Sequence, residues 1–399
     1  MSISGRIRPL IQPATADAPQ LDLGQHSDAR FIQISTGLGA GNIGDDLMAL
    51  AFWANLPGNY RLDVEVFPAH VLQRERYPEQ NTYRLLNESA TDYWNPDSIP
   101  GLLACGTPVN ETEGLAFPMQ FVSERLRRFA TRGIPVDAVG VGIDRLHSKR
   151  ARSLFESSFL GVQSWTVRSP ACQEALIDLG VKPERILVGA DWAWLYTQKR
   201  DLGDWGAEMW ASLGVDLERP LLMANLVNLV WRSCAASKRG IARALDTLAS
   251  RHGFQIAFFC NECREGAMFD RAAAEEVKSM MESPAVMVPN YYWSPDEVLG
   301  LASHASIVLS QRYHFSVFAA LAGTVPVSIL RGCKMRGLVQ ELGTPASCRI
   351  ENVESEQLLN DILDAYRNRS LYLDRLSMAR RQLAIRAGNN LAFVRQHYC

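Results

Sequence analysis

No stretch of this 399-residue sequence is long and apolar enough to cross a bilayer. The longest apolar run, near Leu221–Trp231, is short and interrupted by Asn225 and Asn228. The first 30 residues are polar and rich in Pro and Ala, without the apolar core of a secretion signal. These absences lead to the expectation of a cytoplasmic protein. Charge of one sign is not in excess either. Lys+Arg 41 against Asp+Glu 43 gives a net charge of -2, so a sequence-wide basic surface for nucleic acid is excluded, although a local basic cleft is not. The eight cysteines are scattered, as reduced core thiols are. Cys260 and Cys263 form a C-x-x-C with no second pair at zinc-site spacing, which reads as a loop rather than a metal or redox site. No His, Cys and carboxylate cluster has metal-ligand spacing, and no metal or other cofactor is expected. There is no G-x-S-x-G nucleophile elbow and no short-period repeat.

What is present is ordinary globular composition, 47% hydrophobic and 21% charged, with room for two or three domains at roughly 150 residues each. Short β-branched apolar runs alternate with helix-period segments. They include Phe31–Ser35, Leu62–Phe67, Gly101–Gly106, Val136–Ile143, Gln163–Val167 and Ile186–Val188. Residues 197–219 are largely polar, and after Pro220 the alternation restarts with Leu221–Asn225, Gln255–Phe259, Ala285–Val288 and Ile307–Leu309. This pattern predicts an α/β fold of two Rossmann-like parallel-sheet domains facing a cleft. The boundaries read as a flexible arm 1–28, an N-terminal domain 29–210, a C-terminal domain 211–352 and a helical tail 353–399.

Two strand-to-helix crossings carry the chemistry. Ser303–Leu330 reads as strand, turn, helix, strand, which puts Arg312 and His314 at the carboxyl edge of a parallel sheet, where open α/β sheets bind ligands. An Arg, a His and a helix start together make an anion site with a proton donor. A surface Arg and a capping His are the competing reading. The second crossing is Thr36–Asp46, a glycine-rich turn running into an apolar helix. Gly39, Gly41 and Gly44 meet the G-x-G-x-x-G spacing, but Asp63 and Glu65 fall inside the next strand rather than at its end, and no Walker lysine follows. Asp45 and Asp46 either serve a site at this turn or merely favour the helix N-terminus. Asp191 reads as a site residue or a helix-cap carboxylate, Trp192 and Trp194 as packing, and Tyr291-Tyr292-Trp293 as a core edge or a sugar-stacking run.

These residues carry a resemblance. Gly41-Asn42-Ile43-Gly44-Asp45-Asp46 resembles the N-x-G-D turn of the polysaccharide pyruvyl transferase family, and Val139-Gly140-Val141-Gly142-Ile143 its glycine-rich strand. Trp165-Thr166-Val167-Arg168-Ser169 resembles its strand ending in an arginine. Leu179-Gly180-Val181 and Gly189-Ala190-Asp191-Trp192-Ala193 are similar to the segments that follow. Arg312-Tyr313-His314, then Gly323-Thr324-Val325-Pro326-Val327 and Lys334, resemble the R-x-H helix, the G-x-P-V strand and a following lysine. The resemblance runs over roughly residues 30–340 in one order. Tyr313, Trp192 and Ser169 depart from the Leu, Pro and acidic residue common there.

The resemblance implies a GT-B-like fold and the transfer of the pyruvyl part of phosphoenolpyruvate onto two hydroxyls of a saccharide, forming a cyclic ketal. Arg312, Arg168 and Lys334 would hold the donor anion, His314 would protonate its methylene carbon, and Asp45, backed by Asp144, would act as base. Gly41, Asn42, Gly44, Asp144 and Asp191 would form the acceptor or anion turn. The partners so implied are phosphoenolpyruvate and a saccharide, which if lipid-linked would bring the protein to the inner face of the membrane. A GT-B glycosyltransferase using a nucleotide sugar and a non-catalytic carbohydrate-binding protein are the alternatives.

Overall fold

A computed structural model describes residues 31–34, 37–39, 41–56, 62–66, 83–87, 100–111, 115–228, 235–267 and 269–398; at 62–66, 83–87, 116–117 and 333 only the backbone is described. The arm expected at 1–28 lies outside these residues. The described chain divides into two units, 31–197 with 382–398, and 198–381. The sequence reading put the change of unit at 210/211 and kept 353–399 together as one tail.

The first unit holds seven strands: β1 (Phe31–Ile34), β2 (Leu62–Val66), β3 (Tyr83–Asn87), β4 (Gly101–Ala104), β5 (Val136–Val141), β6 (Trp165–Val167) and β7 (Ile186–Val188). Their order is β3-β2-β1-β4-β5-β6-β7, all neighbours parallel. Every residue of β1, β4, β5 and β6 is buried, as apolar strands covered on both faces require. The helices are α1 (Ile43–Asn55), α2 (Phe121–Thr131), α3 (Lys149–Ser158) and α4 (Pro170–Asp178). Ser169 caps α4 through the Cys172 N–H, with Pro170 in the first turn.

The second unit holds six strands: β8 (Leu221–Asn225), β9 (Gln255–Phe258), β10 (Ala285–Met287), β11 (Ile307–Ser310), β12 (Pro326–Leu330) and β13 (Ala346–Arg349). Their order is β10-β9-β8-β11-β12-β13, again all parallel. Its helices are α5 (Gly203–Ser212), α6 (Ala235–His252), α7 (Asp270–Ser279), α8 (Pro295–Ala302), α9 (Tyr313–Ala322), α10 (Cys333–Leu342) and α11 (Ser355–Arg367). A capping box of Ser294 and Glu297 starts α8, and Gly323, at φ 76°, ends α9 in the left-handed conformation. α12 (Arg369–Tyr398) begins in this unit and finishes in the first.

Both sheets reverse direction of growth in the middle, between β1 and β4 and between β8 and β11, and that reversal opens the ligand crevice at the carboxyl ends of such strands. β3, β13, α2, α5 and α10 have no counterpart in the sequence reading. The largely polar stretch 197–219 contains α5, whose Trp210 is fully buried and donates to the Leu301 carbonyl at 3.0 Å. Gly206 lies so close to Gly300 that a Cβ would stand 2.3 Å from the Gly300 oxygen. Tertiary contact, not local polarity, makes this segment a helix.

Candidate functional site

At the reversal of the first sheet, β1 runs into the glycine-rich turn. Gly37, Gly39 and Gly41 have φ of 150°, 74° and 94°, which is why glycine stands there. Asn42 caps α1 by accepting the Gly44 N–H at 3.1 Å. The two adjacent carboxylates divide their labour. Asp46 is fully buried and accepts the Gly39 N–H at 3.1 Å, tying the turn to the helix. Asp45 is half-buried in the first turn, where the helix dipole favours a negative charge.

β4 ends opposite this turn in Cys105 and Gly106, at φ 70° and 71°. Burial, then the charges of Asp191 and Asp45, push the Cys105 thiol well up, so it stays protonated and non-nucleophilic. The same influences show that Asp45 and Asp191 share this neighbourhood. Asp191 accepts the Ala193 N–H at 3.0 Å as the cap of a short 3-10 turn, and its other oxygen takes Arg168 Nη1 at 2.9 Å. Arg168, 3% exposed, also donates from Nη2 to Thr107 at 2.9 Å. Asp191 is thus both a cap and a partner of a buried arginine. Asp144 is buried and its N–H binds the Val109 carbonyl at 2.9 Å. Burial raises the Cys172 thiol, with the Arg168 charge opposing and the Asp144 charge adding, which places both near it.

Arg168 is framed by residues the sequence reading passed over. Arg386 of α12 donates to the Gly189 carbonyl at 3.0 and 2.8 Å and to the Arg168 carbonyl at 3.3 Å. Asn390 donates to the Ala190 carbonyl at 2.7 Å and accepts Thr166 Oγ1 at 2.9 Å. No spacing rule links residues more than 190 apart, so only the fold reveals them.

At the reversal of the second sheet, Arg312 is the residue before α9 and His314 its second residue. His314 is 9% exposed and meets Tyr313 edge to face at 5.1 Å. Lys334 is half-buried in the first turn of α10, at the end of the adjacent strand β12. Arg312 grips Asp270 through Nη2 at 2.6 Å and Nε at 2.8 Å. Asp270, fully buried at the start of α7, also accepts Asn225 Nδ2 at 2.8 Å and the N–H groups of Asn261 and Glu262 at 3.0 and 3.1 Å. Asn225 ends β8, and its Oδ1 is buried without a hydrogen-bond partner. The C-x-x-C loop supplies those two N–H groups. Both its thiols are unbridged and buried, and burial followed by the Asp270 charge pushes Cys260 up to about 12. Trp293 of the aromatic run is buried against Tyr291 and Trp205, a core edge.

The sequence-read residues therefore gather at two sheet edges: Gly41, Asn42, Gly44, Asp45, Asp144, Arg168 and Asp191 in one unit, and Arg312, His314 and Lys334 in the other. Among the described residues no group of three or more His, Cys, Asp or Glu could hold a metal ion, and no helix is long and apolar enough to cross a membrane.

Two Rossmann-like parallel-sheet units with twelve α-helices among the described residues place the chain in the GT-B-like α/β class. It is similar in fold to a UDP-GlcNAc 2-epimerase from Neisseria meningitidis bound to UDP-GlcNAc (TM-score 0.62, 9% identity, 92% of this chain and 99% of that one). It is also similar to a glycosyltransferase from Rickettsia africae (0.61, 11%, 94% and 98%) and to HepE from Anabaena in complex with UDP and glucose (0.57, 11%, 92% and 98%). No curated protein matches the sequence. The profile of the family described as Polysaccharide pyruvyl transferase matches residues 42–331, and the chain belongs to that transferase family.

Proposed function

We propose that this protein transfers the pyruvyl group of phosphoenolpyruvate onto two hydroxyls of a saccharide. C2 of the donor gains two oxygen bonds and loses its phosphate. Of the two hydroxyl protons, one equivalent ends on the new methyl group and the other on phosphate. Family membership supports the reaction class. The observation that carries the residue roles is the arginine and histidine two positions apart where β11 becomes α9, at the reversal of the second sheet. Arg312 and Lys334 hold the anionic donor and His314 delivers a proton to its methylene carbon, a step worth about 10²–10⁴-fold in rate. In the first unit, Arg168 is the cation that serves an anionic group, and Asp45 is the base for the incoming hydroxyl. Asn42, Gly41 and Gly44 shape the acceptor turn, with Asp144 and Asp191 behind it. The protein acts in the cytoplasm, or at the inner face of the membrane when the acceptor is lipid-linked.

Thermal melting with phosphoenolpyruvate, set against a nucleotide sugar, tests the donor. At about 100 times its Kd, phosphoenolpyruvate stabilises the protein by roughly 2.7 kcal/mol. Lys334→Ala weakens that response. His314→Gln keeps it while phosphate release with a saccharide acceptor falls by about 10²–10⁴-fold. Stabilisation by the nucleotide sugar and none by phosphoenolpyruvate overturns the reading in favour of a glycosyltransferase.

A further inference from the structure

The environment of Asp270 is unusual for a carboxylate that belongs to none of the motifs described above. It is fully buried and faces only donors. Oδ1 accepts Arg312 Nη2 at 2.6 Å and Nε at 2.8 Å; Oδ2 accepts Asn225 Nδ2 at 2.8 Å, Asn261 N–H at 3.0 Å and Glu262 N–H at 3.1 Å. Arg312 Nε also reaches Oδ2, at 3.0 Å. These donors come from the ends of β8 and β11 and from the loop after β9, three strands adjacent in the sheet. A carboxylate is the group that accepts at both positions and carries the charge opposite to the guanidinium.

We infer that Asp270 is a positioning residue, which locks the Arg312 guanidinium by its Nε–Nη2 edge and so fixes the direction in which the arginine addresses the phosphoenolpyruvate anion. The inference rests on the donor proposed above. Arginine recognises a carboxylate or phosphate as a planar fork, and a fork that turns freely loses its alignment. Bidentate pairing on one edge removes that rotation. The charge stays useful because the carboxylate shares itself with three further donors. Asn225 completes the lock from below, its amide orientation set by Asp270 on one side and by the Phe259 carbonyl at 3.1 Å on the other.

The chemistry supplies a sharp variant. In Asp270→Asn the volume is kept, but an amide nitrogen replaces one oxygen. Placed at Oδ1 it faces two guanidinium N–H groups; placed at Oδ2 it faces Asn225 Nδ2 and two backbone N–H groups. Neither orientation satisfies the site, and the guanidinium is released. Steady-state kinetics and phosphoenolpyruvate-dependent melting are measured on the wild type, Asp270→Asn, Arg312→Gln and the double variant, each first checked for a cooperative melt. Expected for Asp270→Asn is a KM for phosphoenolpyruvate raised about tenfold or more, with kcat much less affected. In the Arg312→Gln background the same change adds little, because its effect passes through the guanidinium. A merely structural role lowers kcat and the melting temperature in both backgrounds alike. Should the wild type respond to phosphoenolpyruvate and Asp270→Asn behave identically, or should the two losses simply add, the positioning role is overturned while the donor stands. A wild type indifferent to phosphoenolpyruvate overturns both.

Discussion

Gly142 has no unusual backbone conformation that would demand a glycine, yet a Cβ there would lie 2.4 Å from the guanidinium carbon of Arg168. An arginine tip is usually free to move aside. This one is 3% exposed and tied to Asp191 and Thr107, so yielding means breaking a buried ion pair. Gly142→Ala should therefore destabilise by about 1–3 kcal/mol, measured by denaturant titration. If the variant melts as the wild type does, the packing of Arg168 against Gly142 is not what the structure depicts. Gly140, two residues earlier, combines both reasons for glycine: φ of 67°, and a Cβ that would lie 2.2 Å from Trp192 Nε1. The sequence reading recognised this glycine-rich strand by resemblance. The reason for it, a guanidinium and an indole pressed against the backbone, needed coordinates.

Elements here are punctuated by side chains that the sequence announces only in part. Ser148 caps α3 by accepting the Ala151 N–H at 3.1 Å, a local signal. Glu111, 37 residues earlier, reinforces it by accepting the Ser148 hydroxyl at 2.7 Å and the N–H groups of Ser148 and His147. Burial opposes ionisation of Glu111, but these hydrogen bonds outweigh it and hold the carboxyl below the usual glutamate range. A depressed acid stabilises the fold fully above its unfolded pKa and loses that contribution as the pH falls through the folded one. Glu111→Gln should thus melt below the wild type at neutral pH, and the gap should close as the solution is acidified through the lowered pKa. A gap independent of pH would rule the charge out as the cause. The same contrast applies to the organising stretch. The helix start at Arg312 and stop at Gly323 were legible from composition, whereas the grip of Asp270 on Arg312, across 42 positions, was not.

Among the described residues, chain order and spatial grouping disagree once. Residues 382–398 rejoin the first unit. There Asn390 bridges the ends of β6 and β7, and a Cβ on Gly189 would lie 2.2 Å from its Oδ1. Tyr398 donates to Asp137 at 2.8 Å and stands edge-on to Phe31 at 5.3 Å. Asn390→Ala removes two hydrogen bonds at a fully buried position and should cost about 1–3 kcal/mol. Hydrogen exchange should show faster exchange in β5, β6 and β7 and unchanged exchange in β8–β13. Equal loosening of both sheets would contradict the grouping.

Alternating apolar runs and helix periods were enough by themselves to establish two parallel α/β sheets, because strands buried on both faces leave an unbroken apolar signature. Glycine, asparagine and arginine at strand ends were enough to locate the crossings from strand to helix in both sheets, because those residues mark where a strand gives way to a helix. Strand order, the return of the last helix to the first unit, and the partners of each arginine were decided only in the tertiary structure. They depend on close approach between residues tens to hundreds of positions apart, and neither propensity nor periodicity extends beyond a single element.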